Sequence, residues 1–113
     1  MNINKVITRI PRVAQNGQQI NHLMLKAFFD LNRLGEHSNS GVIIDDLRNQ
    51  FVNLGGSYEK FSGTLNSMMT NVGNSYGEYF QKNGDCVYLS RNNADIILSY
   101  SRYFSKQIPK AAT

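Results

Sequence analysis

The chain is poor in cysteine and begins without acids: its single cysteine is Cys86, and its first carboxylate side chain is Asp30. One cysteine excludes an internal disulfide framework and suits a reducing, cytoplasmic setting. No apolar run approaches the ~18 residues of a membrane span, so no membrane partner is expected. The opening "MNINKVITRIPRVAQN" lacks the continuous apolar block of a secretory signal. Missing acids are a transit-peptide trait, but Pro11 and the short apolar spacing argue against that use. Histidine is confined to His22 and His37, with no HExxH or CxxC spacing around them, so neither a metal nor any other cofactor is expected. With 41% hydrophobic and 18% charged residues the chain is not disordered, and 113 residues fit one domain with a real core. The net charge of +4 is compatible with a nucleic-acid partner without requiring one. Lys5, Arg9 and Arg12 crowd one end of the chain, and Arg102, Lys106 and Lys110 the other.

Local patterning predicts a mainly helical α+β chain. Residues 3–10, "INKVITRI", fit a strand or a single helical turn that Pro11 ends, and residues 1–17 read as an N-terminal arm. The spacing then predicts a helix over 18–35. Ile20, Leu23, Met24, Ala27, Phe28, Leu31 and Leu34 lie on its inner stripe, and Gly35 is its C-terminal cap. Leu25 and Phe29 form a second apolar patch on that helix, so it must be covered on two sides. "GVII" is a strand stub. A helix over 44–54 follows, with Ile44, Leu47, Phe51 and Leu54 inward and Asp45 and Asp46 in the first turn, where the macrodipole favours acids. Gly55-Gly56 stops it, and Ser57 caps a further helix over 57–72 that turns Phe61, Leu65, Met68, Met69 and Val72 inward.

"EYFQKNGDCVYLS", residues 78–90, carries the Asn83-Gly84 signal of a hairpin with a two-residue turn. That turn pairs Lys82 with Asp85, Phe80 with Val87 and Glu78 with Leu89. Phe80, Val87 and Leu89 then face the helices, and Tyr79, Gln81, Cys86 and Tyr88 are half exposed. A last helix runs from about residue 91 to 107, before Pro109. Tyr100, Tyr103 and Phe104 on its apolar side are expected to pack on Leu25 and Phe29, within one chain or across a homodimer axis.

This order of helix, strand stub, helix, Gly-Gly-Ser turn, helix and hairpin resembles the winged helix-turn-helix family over residues 18–90. Residues 91–108 would be an added packing or dimerisation helix and 109–113 a tail. The resemblance implies a transcriptional regulator, dimeric and cytoplasmic, that binds double-stranded DNA. Its recognition helix would be 57–72 and its wing 78–90. Asn66 and Asn71 suit adenine edges, while Lys60, Ser67 and Thr70 can reach phosphates or bases. Gly63 lets a backbone approach closely, and Lys82 and Asn83 form the wing tip. Glu59 opposes phosphate on the same face, and the helix carries one basic residue, so the main electrostatic attraction must come from elsewhere. Lys5, Arg9, Arg12, Arg48, Lys82 and Arg91 are candidates. No pattern points to an enzyme: Asp45-Asp46 are adjacent rather than paired across a site, and no glycine cluster forms a phosphate loop. The alternative is a phage- or plasmid-type protein-interaction module on the same fold, docking on a host protein through Tyr79, Tyr88 and the Leu25/Phe29 patch.

Overall fold

The computed structural model describes residues 3–32 and 41–104. Within them the chain folds as five α-helices and short antiparallel strands. Helix α1 (Lys5–Gln15) corrects the reading of residues 3–10 as a strand or a single turn, and it makes the segment read as an arm part of the core. Asn4 caps it, its Oδ1 accepting from the amides of Val6 and Ile7 at 3.0 and 3.3 Å. Pro11 sits inside the helix on its exposed side. An interior proline costs ~3 kcal/mol, but Val6, Ile10, Val13 and Ala14 are all buried on the other face. At ~1.5–3 kcal/mol per large apolar side chain, that burial wins.

Helix α2 (Ile20–Asn32) crosses the centre of the molecule and buries Met24, Leu25, Ala27, Phe28 and Phe29. Leu31, expected on the inner stripe, is exposed; Leu34 and the Gly35 cap lie outside the described residues. Strand β1 (Val42–Ile43) leads directly into α3 (Ile44–Asn53), which buries Leu47 and Phe51 against α2. Gly55, with φ of 108°, and Gly56 stop α3 as expected. Ser57 caps the next turn: its Oγ accepts from the Lys60 amide at 3.3 Å.

Helix α4 runs over Phe61–Ser67, far short of the expected 57–72. The chain then enters β2 (Met69–Thr70), paired antiparallel with β3 (Gly77–Glu78). The reason is tertiary. The Met68 carbonyl accepts from the amides of Tyr79 at 2.8 Å and Phe80 at 2.9 Å, and the Ser67 carbonyl accepts from Tyr76. These bonds hold residues 67–70 to the 76–80 segment. Phe61, Leu65 and Met68 are buried as expected, but Val72 is 64% exposed.

Strands β4 (Phe80–Asn83) and β5 (Cys86–Leu89) form the expected hairpin with a shifted register. Asn83 pairs with Cys86, Lys82 with Val87 and Phe80 with Leu89, so the turn is Gly84-Asp85 rather than Asn83-Gly84. Gly84 supplies the positive φ, 64°, at the first turn position. Strand β1 pairs with β5, giving the sheet order β1-β5-β4. Phe80, Val87 and Leu89 are buried, and Gln81, Cys86 and Tyr88 are half-buried. Tyr79, expected half exposed, is fully buried. Among the described residues, the last expected helix appears as α5 (Ala94–Leu98) and a 3-10 turn over Ser101–Tyr103; residues 105–107 lie outside them.

Candidate nucleic-acid interface

The outer face of α4 is set by what its inner face buries. Phe61, Thr64 and Leu65 point inward, leaving Ser62, Gly63 and Asn66 exposed, with Lys60 exposed just ahead of the helix. Ser62 and Asn66, four apart, share one face. Lys60, Gly63 and Ser67 line a groove whose opposite wall includes Ile20, Asn74 and Tyr76. Periodicity does not single out Asn74 or Tyr76; they enter through the β2–β3 connection, which the expected longer helix had no room for.

The seven expected DNA-contacting residues therefore separate. Lys60 and Asn66 stand open on or beside α4. The Ser67 hydroxyl accepts from the Tyr76 amide at 2.9 Å, and the Thr70 hydroxyl from the Val72 amide at 3.4 Å. Asn71 lies beyond the helix, its Oδ1 accepting from the Lys5 amide at 2.9 Å and its Nδ2 donating to the Ile3 carbonyl at 2.6 Å. Both ends of that amide are engaged in fastening α1, which argues against Asn71 as a base reader. Lys82 and Asn83 are exposed at the hairpin end. That end is tied down, because the Asp85 carbonyl accepts from the Ile44 amide at 2.9 Å. Asp85 is exposed at the same end, and Asp46 is exposed in the first turn of α3.

Positive charge gathers instead on one flank of α1. Lys5, Arg9 and Arg12 are spaced four and three apart, so they share a helix face. Lys5 Nζ donates to the Ser75 carbonyl at 3.0 Å, and Arg9 Nη1 to the same oxygen at 3.4 Å. The ion pairs among the described residues are Lys26–Asp30 at 3.7 Å and Arg48–Asp45 at 3.1 Å, neither of which touches this flank. Arg48, an expected contributor, also lies 5.2 Å from the centre of the Tyr58 ring. Arg91 and Arg102 are exposed.

Of Leu25, Phe29, Tyr100, Tyr103 and Phe104, expected to meet within one chain or across a dimer axis, Leu25, Phe29 and Phe104 are buried within the chain. Phe104 is buried and stacks on Phe29, with ring centres 6.0 Å apart and planes 7° apart. Leu25 and Phe29 are fully buried, which removes the patch assigned to docking, and Tyr79 is buried as well. Tyr100 is half-buried beside the exposed Tyr103. His22 is also structural: its Nδ1 donates to the Val13 carbonyl at 2.8 Å, and its ring lies 4.8 Å from that of Phe104. Among the described residues no group of histidine, cysteine and acidic side chains is placed to hold a metal, and no helix is long and apolar enough to cross a membrane.

Comparison with family models, with curated proteins and with solved structures gives no match.

Proposed function

We propose that this chain is a winged-helix protein that binds double-stranded DNA and regulates transcription. The sheet order carries the reading. Strand β1 pairs with the second strand of the hairpin, and α3, a tight turn, α4 and the short β2–β3 pair lie between β1 and the hairpin. This order, a helix after a tight turn and then a hairpin whose second strand pairs with β1, is the one expected of a recognition helix followed by a wing, and it supports the reading. The open face of α4, with Ser62, Gly63 and Asn66 exposed, supports the same reading. A packed intramolecular role for Leu25, Phe29 and Phe104 leaves a homodimer without the contact first assigned to it, so dimerisation is not part of the proposal. No catalytic step is proposed either.

The test is duplex binding by fluorescence anisotropy as a function of salt. Four phosphate contacts predict a loss of roughly a hundredfold in affinity between about 50 and 200 mM salt. An affinity that stays flat over that range overturns the proposal. The second reading, a protein-interaction module, draws support from Ile3 and Val72, 68% and 64% exposed, near the Asn71–Ile3 hydrogen bond. DNA-independent capture of a host protein that is lost in a Val72→Asp variant would favour it.

A further inference from the structure

Gly63 has no structural reason to be glycine. It lies mid-helix in α4 and is not among the glycines with positive φ. A Cβ built on it meets nothing within 4 Å. Alanine there would favour the helix. Yet Gly63 lines the groove between α4 and the β2–β3 connection, with Lys60 and Ser67 on its own helix and Asn74 and Tyr76 across from it. An open, Cβ-free point on a helix face is where another backbone can come closest.

The charge around this groove is uneven. Its acid, Glu59, precedes Lys60 at the amino end of the helix. At the carboxyl end, where the Tyr76 amide bonds Ser67, the wall is formed by Asn74 and Tyr76, the chain neighbours of Ser75. The carbonyl of Ser75 takes hydrogen bonds from both Lys5 and Arg9. A neutral carbonyl orients these cations without cancelling their charge. Arg12 continues the same flank and is exposed. Tyr79, the ionisable group whose environment includes Arg9, is held neutral by burial, which pushes its pKa up to about 12. The hairpin end, Lys82 to Asp85, carries one exposed base and one exposed acid, whereas the α1 flank carries three bases and no acid.

We propose that one DNA strand crosses α4 at Gly63 and that its phosphates run toward Lys5, Arg9 and Arg12, so that α1 and the β2–β3 connection form the phosphate clamp. This rests on the DNA-binding reading and deepens it, narrowing the candidate cations to the three on α1, an element outside the winged-helix layout.

The test uses the full chain, a short mixed-sequence duplex, and the variants Gly63→Ala, Arg12→Gln and Lys82→Gln, each with a thermal melt. Gly63→Ala is expected to melt roughly 3 °C higher while binding the duplex about tenfold more weakly. Arg12→Gln is expected to lower the salt slope by about one unit, with Lys82→Gln leaving it unchanged. Duplex binding by Gly63→Ala equal to wild type overturns the crossing at Gly63. A slope lost in Lys82→Gln and kept in Arg12→Gln overturns the α1 clamp. A wild-type chain that binds no duplex removes the DNA reading itself, an outcome distinct from both.

Discussion

Asn71 fastens Lys5: the asparagine Oδ1 accepts from the Lys5 backbone amide at 2.9 Å while its Nδ2 donates to the carbonyl of Ile3. The pair closes a contact across most of the chain and satisfies one of the amides that a helix start leaves without an intrahelical partner. Asn4 and Asn93 continue the seam, with Asn4 Nδ2 donating to Asn93 Oδ1 at 2.8 Å and Asn93 Nδ2 to the Glu78 carbonyl at 2.9 Å. Asparagine on this side acts as a fastener between α1 and the strands.

Replacing Asn71 with alanine leaves the Lys5 amide and the Ile3 carbonyl without this partner. The expected cost is about 1–3 kcal/mol in chemical denaturation. Hydrogen exchange should show lost protection in α1, while α3 keeps its own. Equal protection in both helices would mean that the seam does not hold α1.

Tyr79 makes stability depend on pH in the alkaline range. Its side chain is fully buried, its hydroxyl has no hydrogen-bond partner among the described residues, and burial raises its pKa from 10.0 to about 12. Between those values the unfolded chain has lost the proton and the folded chain keeps it, so stability falls as pH rises, by up to about 1.4 kcal/mol per unit. Below pH 10 this contribution is fully present. Tyr79→Phe should flatten the alkaline slope and, near neutral pH, leave stability unchanged or slightly higher, because the hydroxyl it removes is unpartnered. Denaturation midpoints measured across the alkaline range check both.

Gly77 is required where Gly63 is not. Its φ is 123°, and a Cβ there would stand 3.0 Å from Lys5 Cβ and 3.3 Å from the Val6 amide nitrogen. Gly77→Ala should therefore destabilise by roughly 1–3 kcal/mol through backbone strain and the displacement of α1. A melt unchanged from wild type would contradict this packing.

Phe104 joins the end of the described chain to α2 through Phe29 and His22. Phe104→Ala should cost about 3–5 kcal/mol, the usual range for a fully buried phenylalanine. A cost near zero would show that the domain closes without this residue.

Asn66 is the amide left open on α4. In the proposed function, Asn66→Ala should cost about 1–3 kcal/mol at a specific site and leave nonspecific binding unchanged. Equal losses on both would assign Asn66 to phosphate rather than to a base.

Local pattern was enough for α2, α3 and the buried Phe80, Val87 and Leu89, since periodic burial and the glycines at 55, 56 and 84 are read directly from neighbouring residues. It was not enough where distant partners decide. Pro11 marked a break, but the burial of Val6, Ile10, Val13 and Ala14 carries α1 through it. Met68, Met69 and Val72 fit a continuing helix, until the Met68 carbonyl receives Tyr79 and Phe80 and the chain becomes a strand. The hairpin's existence follows from Asn83-Gly84-Asp85, yet its register is settled by pairing with β1 and by the bond from the Ile44 amide to Asp85. Asn71 shows the same division. Its amide suits an adenine edge as readily as a backbone, and nothing within a few residues of it announces α1. Residue type and spacing determined which side chains could be buried or could bind. Hydrogen bonds between segments far apart in the chain decided which of them remained open, because each unpaired backbone group in the interior costs more than a local preference can supply.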